Sequence, residues 1–178
     1  FTRVEDMVAD DAIQAVNVVT PASHCDPAVA AAEAGKHVLV EVPFAVTLDE
    51  CDRMIAAADK TGVNLMYAQT HRFSPENIKL KSLIDDGAIG DVIWITWTRL
   101  GAGHPGSERW SRRTETGGGF LTYEGPHIID QLRWLAGSDL DAAVTIGMGR
   151  FVSGGDGEDN IIGGFRLKNG GFASIIEG

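Results

Sequence analysis

The chain has 178 residues, enough for one full domain or parts of two. Apolar residues make up 44%, which excludes a disordered chain, and no apolar run approaches the roughly 20 residues of a membrane-spanning helix. A formal net charge of −10 repels phosphate backbones and argues against nucleic acid as a partner.

Glu5 to Asp11 is polar and compatible with a helix. Ala15 to Thr20 is a short apolar run stopped by Pro21, as a buried strand of a parallel sheet would be. Pro27 to Ala34 is alanine-rich and helical, with Asp26 as the expected N-cap and Gly35 as the stop. His37 to Glu41 is a second strand, closed by Pro43. Leu48 to Lys60 is a second crossover helix; Thr47 and Glu50 form a capping box and Gly62 follows its end. Val63 to Ala68 is a third strand. This alternation is the pattern of a doubly wound parallel sheet.

After Arg72 the pattern changes. Pro75 to Asp86 predicts an amphipathic helix with Ile78, Leu80, Leu83 and Ile84 as its apolar positions. Gly87 to Gly90 is a turn, and Asp91 to Leu100 alternates as an antiparallel strand would. Gly101 to Thr116 is a polar loop rich in glycine and arginine. Pro126 to Ala136 is a helix with an apolar face of Ile128, Ile129, Leu132, Leu135 and Ala136. Val144 to Val152 and Gly163 to Leu167 are strands around a loop at Gly154 to Asp159, and Asn169-Gly170-Gly171 turns the chain into Phe172 to Ile176. The fold class expected is α/β: the C-terminal half of a Rossmann-like doubly wound sheet, residues 1–70, then part of an α/β domain with an open, mostly antiparallel sheet, residues 71–178.

Cys25 and Cys51 lack CxxC or metal-ligand spacing, so reduced thiols and no metal are expected. The chain opens on Phe1-Thr2-Arg3 without a recognisable signal and reads as an internal fragment, truncated at both ends, of a cytoplasmic protein. No glycine cluster follows a buried strand and opens a helix, so none is read as a phosphate loop.

Ligands of open parallel sheets bind beyond the carboxyl ends of the strands. Three such ends carry polar groups here: Thr20-Pro21-Ala22-Ser23-His24, Glu41-Val42-Pro43 and Gln69-Thr70-His71-Arg72. Each proline taken alone also serves simply to stop a strand. Arg109, Arg112 and Arg113 suit a carboxylate-bearing substrate, or equally form a solvated face. His71 and His104 are ligand-facing or solvated. Trp94, Trp97 and Trp134 read as core or interface.

Four stretches in collinear order carry a resemblance. They are Ala15 to His24, Ala34-Gly35-Lys36-His37-Val38 through Glu41-Val42-Pro43, His71 to Pro75, and Gly117-Gly118-Gly119 with His127 and Asp130. Together they resemble the Gfo/Idh/MocA oxidoreductases across nearly the whole chain. The resemblance implies NAD or NADP as cofactor. It implies hydride transfer at a secondary alcohol or ketone of a sugar, cyclitol or related diol, carboxylated or not. It also implies a homo-oligomer, dimer or tetramer, formed through the open sheet. By the same resemblance Thr20, Pro21 and His24 line the dinucleotide, Glu41, Val42 and Pro43 shape the nicotinamide pocket, Arg72 faces cofactor or substrate, and Trp110 and Arg112 reach the cofactor.

Two positions depart from the family pattern. Its Glu-Lys-Pro is Glu41-Val42-Pro43 here, and its Asp four residues before the histidine is Tyr123. His127 is left as the expected acid/base, since imidazole titrates near neutrality. Asp130 shares its helical face as a second catalytic candidate or an orienter. Tyr123 shares that face only if the helix begins before Pro126; it is the candidate to donate a proton in place of the lysine. An alternative is a dinucleotide-binding regulator of the same fold without turnover.

Overall fold

The computed structural model describes residues 1–20, 23–101, 111, 113–116, 118–150 and 155–178. The chain divides into two compact units, Phe1–Ala68 and Gln69–Gly178.

The first unit is a three-stranded parallel sheet in the order β1 (Ala15–Val18), β2 (His37–Val40), β3 (Leu65–Tyr67). Ala15 pairs with His37 and Val38 with Leu65. Short helix α1 (Val4–Val8) precedes it, and α2 (Cys25–Glu33) and α3 (Leu48–Thr61) are the crossovers. Val16, Val18, Val38 and Val40 all point to the same core, against Ala28, Ala31 and Ala32 of α2 and Met54 and Ala57 of α3. Alanines let the helices approach the sheet and each other closely. The strands bury alternate residues rather than all, because both crossovers run in one direction and lie on one face.

Both helices end as their sequences dictate. Glu50 N–H donates to Thr47 Oγ1 at 3.2 Å while Glu50 Oε2 accepts from Thr47 N–H, and Gly62 closes α3 at φ +72°. Gly35 follows α2 at φ +76°. The N-cap of α2 is His24, two residues earlier than the expected Asp26. Asp26 instead lies in the first turn and accepts from Arg53 at 2.8 Å.

The second unit holds α4 (Pro75–Asp85), a one-turn helix α5 (Phe120–Tyr123), α6 (Gly125–Ala136), and a four-stranded sheet. Its order is β4 (Trp94–Arg99), β7 (Phe172–Glu177), β6 (Asn160–Leu167), β5 (Leu140–Gly149). β5, β6 and β7 are antiparallel neighbours, whereas β4 pairs in parallel with β7 and not antiparallel as its alternation suggested. Alternation reports a one-sided sheet; it carries no information about the direction of the neighbour. Ile128 and Leu132 of α6 pack on Phe165, Leu167, Ala173 and Ile175. The opposite sheet face presents Trp94, Ile162, Phe172 and Ile176 to solvent. Helix α4 buries none of its residues, and Ile78, Leu80 and Leu83 are exposed. No helix among the described residues is long and apolar enough to cross a membrane.

Candidate active site

In the first unit the carboxyl ends of β1 and β2 are tied together by a histidine. His24 is 2% exposed, and its Nδ1 lies 2.6 Å from the Pro43 carbonyl oxygen. The loop after β1 therefore holds the Glu41-Val42-Pro43 segment in place. Val42–Pro43 is a cis peptide bond. Val42 and Pro43 are buried, Glu41 is half-buried, and Glu41 Oε2 accepts from the Val42 N–H at 3.2 Å. Thr20 is exposed and its hydroxyl donates to the Ser23 carbonyl at 2.9 Å. Of the predicted cofactor residues, His24 thus touches the protein itself, and Thr20 and Glu41 reach the surface. Pro21, Trp110 and Arg112 lie outside the described residues, as do His104, Arg109 and Gly117.

In the second unit a 3₁₀ turn, Thr70–Phe73, brings His71 and Arg72 against α6. Arg72 and Asp130 form a bidentate pair: Nε lies 2.7 Å from Oδ2 and Nη2 2.5 Å from Oδ1. The bond to Asp130 raises the pKa of Arg72 further, against the opposing effect of burial. The guanidinium carbon also sits 5.6 Å from the centre of the Trp134 ring. Asp130 is 9% exposed, so both oxygens of the expected second catalytic group are engaged by Arg72.

The His127 ring is held at its edge and on its face. Nδ1 lies 3.0 Å from Gln69 Oε1, and Gln69 Nε2 donates to the Pro126 carbonyl at 3.3 Å. The His71 ring stacks on it with centroids 4.5 Å apart and planes 4° from parallel. His71 in turn stacks on Trp97 at 6.0 Å. Trp97 Nε1 donates to Glu177 Oε2 at 3.2 Å, and Arg99 Nε donates to Glu177 Oε1 at 2.6 Å. Burial works against the charge of Arg99, but Glu177 and Glu124 hold its pKa above the usual value. The imidazole therefore rests on a column of side chains anchored in the sheet.

Tyr123 lies on α5, separated from α6 by Glu124, so it does not continue the helix that carries His127. Pro126 begins α6 afresh, as its missing N–H favours in a first turn. Gly118 and Gly119 are explained by close approach. A Cβ on Gly118 would meet Arg113 backbone atoms at 2.6 Å, and one on Gly119, whose φ is +106°, would overlap the Glu158 carboxylate. Glu158 Oε1 accepts from the Leu121 N–H at 2.8 Å, so this carboxylate serves the start of α5.

Sequence reasoning assigned no role to Gln69, Glu158 or Glu177. Gln69 stood in the polar cluster after β3, but its partner lies 58 residues away, beyond any local spacing rule. Glu177 gave no signal, since a terminal strand glutamate ordinarily reads as solvated.

The comparisons with known proteins follow the two units. A family model described as "GFO/IDH/MocA C-terminal domain" matches residues 77–176, and one described as "Oxidoreductase family, NAD-binding Rossmann fold" matches residues 1–69. The chain belongs to the Gfo/Idh/MocA oxidoreductase family. Among curated members it is 33% identical over 171 residues to a 1,5-anhydro-D-fructose reductase of Ensifer adhaerens, covering 95% of this chain and 51% of that protein. It is also 33% identical to scyllo-inositol 2-dehydrogenase (NADP(+)) IolW of Bacillus subtilis (strain 168), over 80% of this chain and 40% of that protein. A solved family structure is the WlbA dehydrogenase from Bordetella pertussis in complex with NADH and UDP-GlcNAcA. It matches with a TM-score of 0.82 and 27% identity, over 99% of this chain and 56% of that one. The chain thus spans about half the length of the family members it matches.

Proposed function

We propose that this chain is part of an NAD(P)-dependent oxidoreductase. Its substrate is a secondary alcohol, or the corresponding ketone, of a cyclic sugar, cyclitol or carboxylated diol. His127 is the acid/base. One observation carries this: among the expected acid/base groups, Asp130 is committed to Arg72, while His127 is a half-buried imidazole held on edge and face. Two relatives named for a sugar reductase and an inositol dehydrogenase, and a solved relative holding NADH and a nucleotide sugar, support the substrate class.

The residues present fit a dinucleotide. The strand ends β1 and β2 lie side by side in a parallel sheet, which is where such ligands bind. Exposed Val19 and Thr20 offer an apolar face and a hydroxyl, and half-buried Glu41 offers an acceptor. When bound, NAD(P) supplies the nicotinamide that takes or gives the hydride. His24 fixes the Glu41-Val42-Pro43 loop through the Pro43 carbonyl. His127 takes the hydroxyl proton as an alcohol is oxidised and returns it as a ketone is reduced. Val42 cannot move a proton, so this chain relies on His127 where the family pattern has a lysine. Residues 1–70 serve the cofactor, and residues 71–178 serve the substrate and assembly.

The exposed apolar sheet face of Trp94, Ile162, Phe172 and Ile176 is the surface for a homo-oligomer. The free thiols Cys25 and Cys51 suit the cytoplasm. The test is turnover with NAD(H) and NADP(H) against scyllo-inositol, 1,5-anhydro-D-fructose and UDP-N-acetylglucosaminuronic acid. Turnover of any of them supports the reading. Cofactor binding with no turnover across these and a wider polyol panel sinks it and favours the regulator.

A further inference from the structure

The ring of His127 meets an acceptor whose orientation a third group decides. A backbone carbonyl oxygen only accepts, so the Gln69 amide must turn its nitrogen, not its oxygen, toward the Pro126 carbonyl. That leaves Oε1 facing His127 Nδ1 at 3.0 Å. An amide oxygen has no proton to give. Nδ1 must therefore donate, and in the neutral ring the lone pair then lies on Nε2. Rotation of the ring is opposed by the parallel His71 ring at 4.5 Å, which stacks in turn on Trp97. The family pattern places an Asp four residues before the histidine; Tyr123 stands there, on a separate helical turn. The acceptor facing Nδ1 comes instead from the loop after β3.

We propose that Gln69 is a positioning residue that fixes His127 in the Nδ1–H tautomer and so presents Nε2 as its basic nitrogen. The proposal rests on His127 being the acid/base. Gln69 acts through His127 and does not itself take up the proton. Being a neutral amide, it fixes the tautomer without placing a charge beside the ring. The Pro126 carbonyl is part of the device, since it prevents the amide from flipping. Pro126 sits next to His127 in the first turn of α6, so the same turn that carries the base carries the group that orients its partner.

The test is long-range ¹H–¹⁵N correlation of the protein labelled with ¹⁵N-histidine, at about pH 8.5, where histidine is mostly neutral. His127→Gln assigns the signal. Wild type should show a protonated Nδ1 and an unprotonated Nε2. Gln69→Met, close in shape and lacking the acceptor, should lose this pattern in favour of Nε2–H or a mixture. Gln69→Glu keeps an acceptor and should restore it. Gln69→Leu repeats the comparison if the Met variant does not fold. An Nε2–H pattern in wild type, or an Nδ1–H pattern retained in Met or Leu, overturns the proposal. Turnover gives a second readout: Gln69→Met should lower kcat about 10- to 100-fold with KM within about twofold, and Gln69→Glu should recover most of it. The spectra and the acid/base reading fail separately. If the tautomer responds as expected but His127→Ala turns over normally, Gln69 still orients the ring and His127 is not the base.

Discussion

Arg72 holds both carboxylate oxygens of Asp130, with Nε 2.7 Å from Oδ2 and Nη2 2.5 Å from Oδ1, across 58 residues of sequence. The pair joins the turn after β3 to the middle of α6, and it leaves the guanidinium stacked over Trp134. It pairs two residues with expected ligand or catalytic roles, one of them, Asp130, on the helix that carries His127.

If Asp130 positions rather than reacts, Asp130→Asn should cost stability before chemistry. The guanidinium is part-exposed, which reduces the effect, so the expected loss is about 1–2 kcal/mol in urea unfolding. Turnover per folded molecule should stay within about threefold, with an unshifted pH–rate profile. A loss of about 100-fold at full folding would restore Asp130 as a catalytic group.

Gly118 packs against the backbone of Ser111 and Arg113, and Gly119 against the Glu158 side chain. Gly119→Ala combines a backbone at φ +106° with overlap of the Glu158 carboxylate. It should destabilise by roughly 2 kcal/mol or more. Adding Glu158→Gly should recover part of that loss. A thermal unfolding midpoint unchanged in Gly119→Ala would contradict the close-approach account.

Asp156 ties the chain before β6 to the turn at Thr114–Thr116. Its carboxylate accepts from the Thr114 backbone N–H at 2.8 Å and from the Thr114 hydroxyl at 2.9 Å. These bonds, the backbone one first, hold its pKa below the usual aspartate value. A depressed folded pKa stabilises above the unfolded value, near pH 4, and that contribution is lost as pH falls through the lower folded value. Asp156→Asn should therefore flatten the acid limb of the stability curve below about pH 4 and leave the neutral region nearly parallel to wild type. Acid limbs that superimpose would remove Asp156 from the linkage.

Burial pushes the thiols of Cys25 and Cys51 above their ordinary pKa. Cys25 is 1% exposed and its Sγ contacts the Glu50 carbonyl at 3.6 Å. Native protein at pH 7 should react with iodoacetamide much more slowly at Cys25 than urea-unfolded protein does. Equal labelling rates measured by peptide mass spectrometry would mean that α2 and α3 open readily.

Much of the fold was legible because it rests on local rules. Thr47, Glu50 and Gly62 bound α3 as their capping chemistry requires, and Ile128, Leu132 and Leu135 face the core at helical spacing. What escaped was non-local. The alternation of β4 identified a strand but not its parallel partner β7, 78 residues on for Trp94 and Phe172. Asp26 had the right chemistry for a cap, but burial of His24 against Pro43 places the helix start earlier. For the site, the glycine-led motif singled out His127 as the candidate acid/base. Its supports, Gln69, His71 and the Trp97–Glu177 bond, were not legible, because each contact joins separate elements and no periodicity encodes it.

The proposed role of His127 as acid/base of an NAD(P)-dependent oxidoreductase is decided by the variant His127→Ala. On a cyclic polyol that the wild type turns over, the variant should lose about 100-fold or more in kcat. Its affinity for NAD(P)H, measured by fluorescence titration, should stay within about twofold. Wild-type turnover in His127→Ala would contradict the claim.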